Sequence, residues 1–206
     1  MNVSGLRSLI VETMAAMPAH ADELRQLDAA LGDGDLGITV DSGSQAVREA
    51  VSGLPASADI QAVLLAVAKA FSTANPSTFA ALVGGGLLAA AKTVSGKDAL
   101  SRADAVEIGD AVAARIADRG KAQVGDKTIL DALIPSLDAL RTHAGNGVDA
   151  LQAMVSVADE RIEATAALQS SKGRAAWVQE RSVGHPDPGA TAYLRFLEEL
   201  TAWWSR

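Results

Sequence analysis

The sequence predicts an all-helical bundle, and three observations carry that reading. Apolar residues recur at helical spacing in one segment after another, and apolar/polar alternation never persists long enough to make a strand. Side chains on one face of a helix recur every three or four residues, whereas those on one face of a strand recur every two. Aromatic residues are only 3% of a chain that is 49% hydrophobic. The core is therefore built from Ala, Leu, Val and Ile, whose small size lets helix axes approach closely. The 206 residues fit a single domain, 1–206.

Taken in order, Ser4 is placed to cap a first helix whose apolar positions run Leu6, Leu9, Ile10, Met14 and Met17 before Pro18 ends or kinks it. A short helix, Ala21 to Leu31, delivers Asp28 to an acidic loop. Helical patterning resumes from Ile38 to Val51, with Ile38, Val40 and Val47 available to the core, and Gly53-Leu54-Pro55 breaks it. Asp59 to Ala70 follows, with Ile60, Val63, Leu64 and Val67 on one face. Phe79 to Val94 comes next and carries Gly84-Gly85-Gly86. Glycine inside a helix costs roughly 1 kcal/mol relative to alanine, so a neighbouring helix or a ligand is expected close by. Further helices run from Ser101 to about Asp118, from Thr128 to about Leu140 with Pro135 inside, and from Val148 to about Leu168. Residues 170–190 form the longest irregular stretch, and Ala190 to Trp204 closes the chain as a helix.

Bulk properties exclude several classes of function. A net charge of −7 argues against nucleic acid and anionic membrane as partners, since both require basic surface. With no cysteine there is no disulfide, no thiolate metal site and no cysteine nucleophile. The N-terminus lacks the basic cluster and continuous apolar stretch of a signal peptide, and no window reaches the ~18 apolar residues of a membrane span. A cytoplasmic location is expected.

The chemistry centres on Asp28-Ala-Ala-Leu-Gly-Asp-Gly-Asp-Leu-Gly37, which holds carboxylates at 28, 33 and 35 among glycines at 32, 34 and 37. Crowded carboxylates repel one another unless a cation sits between them, and an all-oxygen set suits a hard ion such as Mg²⁺. Mg²⁺ is usually held by a few carboxylates and substrate phosphates, so the loop points to a nucleotide site. An EF-hand does not fit, because the twelfth position counted from Asp33 is Ser44 rather than Glu. No Gly-x-x-x-x-Gly-Lys-Ser/Thr segment occurs, which excludes a P-loop. Asn75-Pro76-Ser77-Thr78 offers a helix start with Pro76 in its first turn, a natural anion site. The 170–190 stretch carries Arg181 and is read as a cover over the site. Lys127 reads equally as a phosphate contact and as a first-turn surface lysine. His20 and His143 read as exposed residues near helix ends, and Trp203 and Trp204 as packing anchors.

Four ordered segments resemble the L subunit, the nucleotide-binding subunit, of bacterial dihydroxyacetone kinase, the DhaL or Dak2-domain family. They are Asp28-x4-Asp33-Gly34-Asp35-x-Gly37, Gly120-Lys121-Ala122, Gly125-Asp126-Lys127-Thr128 and Arg181-Ser-Val-Gly-His-Pro-Asp187-Pro188-Gly189. The resemblance spans essentially the whole chain. It implies a barrel of about eight antiparallel amphipathic helices, with ATP or ADP and two Mg²⁺ held by loops at one end. Asp28, Asp33 and Asp35 match the metal ligands. Leu36, Gly37, Ile38 and Thr39, with Ser77 and Thr78, match the phosphate surroundings, to which Lys127 and Thr128 are added. Gly120 and Ile129 match the adenine pocket, and Arg181, Asp187, Pro188 and Gly189 the loop covering the nucleotide. The chain departs from the family pattern at Leu36, where His is common, at Thr39, where Asn is common, and at Asn75-Pro76-Ser77-Thr78 in place of a Gly-Ala-Ser-Gly-type turn.

The function implied is that of a phosphotransferase component. The chain would bind Mg·nucleotide and present a phosphoryl group to dihydroxyacetone or a related short-chain ketose held on a separate K subunit. The phosphate would come from free ATP or from a phosphotransferase-type protein that rephosphorylates resident ADP. A homodimer is compatible with this reading. Two alternatives share the fold: a nucleotide-sensing regulatory protein, and a Dak2-type kinase domain acting on another substrate, as in fatty-acid kinases.

Overall fold

Capping side chains fix where most of the helices begin in the computed structural model, which describes residues 1–206. Helix α1, Val3–Ala16, is capped by Asn2 rather than Ser4, because the Asn2 side chain accepts from the Gly5 amide. A 3₁₀ turn at Met17–His20 takes up Pro18 and leads into α2, Ala21–Leu31, and α3, Leu36–Ser52, the two exceptions, which have no side-chain cap. Asp59 caps α4, Ile60–Ala74, and Ser77 caps α5, Thr78–Thr93. Capping boxes open α6, Arg102–Gly120 (Ser101 with Asp104), and α7, Ile129–Thr142 (Thr128 with Asp131). Asn146 caps α8, Gly147–Ala166, and Asp187 caps α9, Pro188–Trp204. That makes nine α-helices, and the only β-type pairing is an isolated bridge between Asn2 and Ala99.

Successive helices from α3 to α9 pack on one another, and α9 returns against α1, α2 and α3 to close the bundle. Its core has three parts. One lies among α6, α7, α8 and α9 around Leu130, Leu133 and Met154. A second joins α1, α3, α4 and α5 around Val47, Val51 and Val63. The smallest, Met17, Leu24, Leu36, Val40 and Ala192, sits beneath the acidic loop. Arg195 on α9 reinforces that region by donating to Glu23 on α2, at 2.6 and 2.8 Å. His20, half-buried, lies 2.8 Å from Glu199 and so belongs to the same seam, not to the exposed surface. No helix is long and apolar enough to cross a membrane.

Some boundaries depart from expectation for local reasons. Pro76 stands outside α5. Asn75, the residue before it, is extended (φ −141°, ψ 112°) and terminates α4, as the steric effect of proline on its predecessor requires. Ile38 is 56% exposed rather than in the core. The inward face of α3 runs through Leu36, Val40, Val47 and Val51, and a residue two positions after Leu36 points away from it. Of the glycine triplet, Gly84 faces Ser72 on α4 and Gly86 faces Val112 on α6. Helix packing on both sides therefore accounts for the triplet.

The tightest helix contact is at Gly37. A Cβ there would overlap the Ala21 carbonyl oxygen and stand 2.8 Å from Arg25 Cβ. We expect Gly37→Ala to lower the unfolding free energy by about 1–3 kcal/mol through overpacking, read from urea denaturation. Gly85→Ala should instead raise stability by about 0.5–1 kcal/mol, since the nearest atom to its added Cβ is Arg115 Nε at 3.9 Å.

Candidate metal and nucleotide site at one end of the bundle

The connections 32–35, 75–77, 121–128 and 167–187 all fall at the same end of the bundle, and hydrogen bonds between them confirm it. Thr39 Oγ1 donates to Ser77 Oγ at 3.1 Å and accepts from Asn75 Nδ2 at 2.8 Å. Lys127 Nζ reaches Ala166 and Leu168. A Cβ at Gly189 would lie 3.4 Å from the ring of Phe79. The opposite end is knit separately, by Met1 with Leu100 and by Arg102 with His143 and Gly145.

Asp28 lies on the last turn of α2, and the chain reverses through Gly34, whose φ of +75° is open to glycine and strained for other residues. The reversal brings carboxylate oxygens of Asp28, Asp33 and Asp35 within 4.8 Å of one another. The Leu36 amide donates to Asp28 Oδ2 at 3.2 Å and fixes one of them. Asp35 precedes α3 but makes no capping bond, so its carboxylate is left facing its neighbours. Desolvation, then the charge of Asp28, pushes the Asp35 pKa up. Positive charge meets this set from the other side: the Arg174 guanidinium pairs with Asp33 and lies 3.3 Å from Asp35 Oδ2. Three convergent oxygen donors whose ionised forms need a cation fit Mg²⁺.

Arg174, not Arg181, is the arginine of the irregular stretch that reaches the site; Arg181 is exposed and makes no ion pair. Nothing in the sequence distinguishes the two, because their placement depends on a 3₁₀ segment, Arg174–Ser182, broken at Gln179. Trp177 on that segment was also unforeseen and is 81% exposed.

The expected phosphate surroundings divide into two groups. Leu36 is buried in the core, so only its backbone serves the loop. Thr39, Asn75 and Ser77 form a hydroxyl–amide chain across the starts of α3 and α5, which puts an amide beside Thr39 although residue 39 is not itself Asn. The Ser77 hydroxyl also accepts from Ala80 N, and Thr78 follows in the first turn of α5. Gly120 ends α6 and Ile129 begins α7, both partly buried, on either side of the 121–128 connection. Lys127 corrects the expectation, because it turns inward, whereas Thr128 stays partly exposed. The Thr128 hydroxyl caps α7. Lys127 is neither a surface lysine nor free to bind phosphate: it is 1% exposed and its ammonium donates to three backbone carbonyls.

Asp187 caps α9 by accepting from Ala190 N at 2.7 Å, with Pro188 buried and Gly189 against Phe79. Although part of Asp187 stays open to solvent, dense packing around its carboxyl pushes the pKa up to about 7. Asp131 adds to the rise, while the Ala190 amide and Lys127 oppose it.

A family model described as DAK2 domain matches residues 30–202. The PEP-dependent dihydroxyacetone kinase, ADP-binding subunit DhaL, of Escherichia coli is 30% identical over 184 residues, 88% of this chain and 87% of that protein. The L-erythrulose 1-kinase of Mycolicibacterium smegmatis is 36% identical over 93% of this chain, which spans only 34% of that protein. The crystal structure of the dihydroxyacetone kinase from C. freundii in complex with AMP-PNP and Mg²⁺ superposes with a TM-score of 0.76 at 21% identity, covering 97% of this chain and 34% of that one. That likeness establishes the fold.

Two pH dependences follow. Asp187 binds its proton more tightly folded than unfolded, so its contribution to stability is complete below about pH 4 and declines as pH rises toward about 7. Asp187→Asn, which keeps a helix-capping side chain, should flatten that part of a stability-versus-pH curve measured without ligand. Asp35 must be ionised to hold a cation, so Mg²⁺ affinity should fall as pH drops through its raised pKa. Titration calorimetry at several pH values reads this directly; affinity independent of pH across the carboxylate range would count against Asp35 as a ligand.

Proposed function

The chain belongs to the DAK2 domain family, and from that premise we propose that it is the Mg·nucleotide-binding component of a short-chain ketose kinase. It would present a phosphoryl group to dihydroxyacetone or erythrulose held on a separate K subunit. The observation that carries this reading is the convergence of Asp28, Asp33 and Asp35 within 4.8 Å at the end of the bundle where α3 and α5 begin. The 30% identity to an ADP-binding subunit, over 87% of that subunit's length, supports the nucleotide-binding half of this reading.

In this reading Asp28, Asp33 and Asp35 hold two Mg²⁺ ions. When bound, these neutralise charge on the transferring phosphoryl group, which is most of what phosphoryl transfer requires of a protein. Thr39, Ser77 and the first amides of α5 orient phosphate oxygens. Arg174 can engage two of them with its planar guanidinium, and the 167–187 segment around it keeps water from the reacting phosphate. Gly120 and Ile129 border the adenine, and Asp187–Gly189 closes the pocket beside Phe79. Ile38 and Trp177, 56% and 81% exposed, stand at the same end as apolar surface for the K subunit to cover.

Calorimetry tests the binding half. Mg·ADP should bind the wild-type chain, and Asp33→Asn or Asp35→Asn should weaken it by about tenfold or more, the equivalent of ~1.4 kcal/mol. Unchanged affinity in both variants would remove the metal assignment. For the transfer half, the purified chain with Mg·ATP should phosphorylate dihydroxyacetone and erythrulose only slowly, and rapid turnover should appear when a K subunit is added. Rapid turnover by the chain alone, indifferent to the K subunit, would contradict the division of labour.

A further inference from the structure

Lys127 has the most unusual environment of any charged side chain in the molecule. It is 1% exposed, and its backbone takes a left-handed conformation (φ +60°) that residues bearing a side chain rarely adopt. Burial pushes its pKa down, with Asp187 opposing the fall. A buried ammonium is tolerated only where all its protons find acceptors. Here the acceptors are the carbonyls of Ala166 at 3.0 Å, Leu168 at 2.9 Å and Ser182 at 2.6 Å.

Those carbonyls come from the two ends of one segment. Ala166 and Leu168 mark where the chain leaves α8, and Ser182 where the 3₁₀ segment ends. Other bonds close the same neck. Ser170 N donates to Ser182 Oγ at 2.9 Å, Gly184 N to Ala166 O at 2.8 Å, and Ser171 N to Asp126 O at 3.2 Å. Residues 169–181 therefore form a strap with a clamped base, and Arg174 projects from it to Asp33 and Asp35. A left-handed, fully buried lysine persists only if its surroundings over-determine it, and the neck does so.

We propose that Lys127 is a positioning residue, whose ammonium clamps both ends of the 169–181 strap and thereby holds Arg174 over the carboxylate cluster. It acts on the nucleotide through Arg174, without touching phosphate. The effect on nucleotide binding rests on the function proposed above; the clamp itself does not.

Hydrogen exchange of the full chain without ligand tests the clamp. In Lys127→Met, amides of 169–184 should exchange about tenfold faster or more, the factor for losing one charge-assisted hydrogen bond, while those of α4 to α6 stay as in wild type. Ser182→Ala removes a different bond of the same neck and should loosen the same amides; it decides the matter if Lys127→Met does not fold. A double-mutant cycle on Mg·ADP affinity tests the route. Lys127→Met and Arg174→Ala should each weaken binding, and the double variant should bind no more weakly than Arg174→Ala alone. A lysine that merely supports the fold would give additive losses. Wild-type exchange in the strap, exchange raised evenly over the whole chain, or additive affinity losses would each overturn the proposal. If wild type binds no Mg·ADP, the proposed function fails while the ligand-free exchange still judges the clamp.

Discussion

Three carboxylates held within 4.8 Å of one another are the constraint from which the rest of this end of the molecule follows. Each pair repels by about 1 kcal/mol in water and by about 3 kcal/mol at an effective dielectric of 20. An isolated loop would relieve that by spreading. Here it cannot, because α2 and α3 cross so closely at Gly37 that no side chain fits between them, and Leu36 anchors the loop's exit in the core. Leu36 N holds Asp28, and Arg174 answers Asp33 and Asp35. The packing thus maintains a charge arrangement that its own electrostatics oppose, which is the condition for binding a cation tightly.

The two ends of the bundle differ accordingly. One is closed by backbone pairing of Met1 with Leu100 and by Arg102 on the carbonyls of His143 and Gly145, contacts that only join chain to chain. The other gathers charged and hydroxylic groups whose bonding capacity is incompletely used: Asp35 without a cap, Thr39 and Ser77 in a short relay, Asp187 with a pKa near 7. Lys127 belongs to that end by position, yet it serves as framework, its protons all directed at backbone.

Much of this was legible in the amino-acid order. The helices announce themselves by spacing, and Ser101, Thr128 and Asp59 cap as their type suggests. The convergence of the acidic loop is readable because glycines at 32, 34 and 37 let the chain turn three carboxylates toward one another. What could not be read is tertiary. Whether Arg174 or Arg181 points at the cluster depends on a kink at Gln179, and Gln179 is not a residue that signals positive φ. The burial of Lys127 depends on carbonyls 39, 41 and 55 residues away in sequence. Ile38 looked apolar enough for the core, but its position two residues after Leu36 turns it outward. Periodicity locates a helix better than it locates the rotation of that helix's first turn.

The central claim, that the Asp28–Asp33–Asp35 cluster is a divalent-cation site, is tested most directly by anomalous scattering from crystals grown with Mn²⁺ and ADP. The account predicts Mn²⁺ peaks within coordination distance of oxygens from all three side chains, with the ADP phosphates on the far side. Mn²⁺ found elsewhere, with these three carboxylates bound only to protein and water, would contradict it.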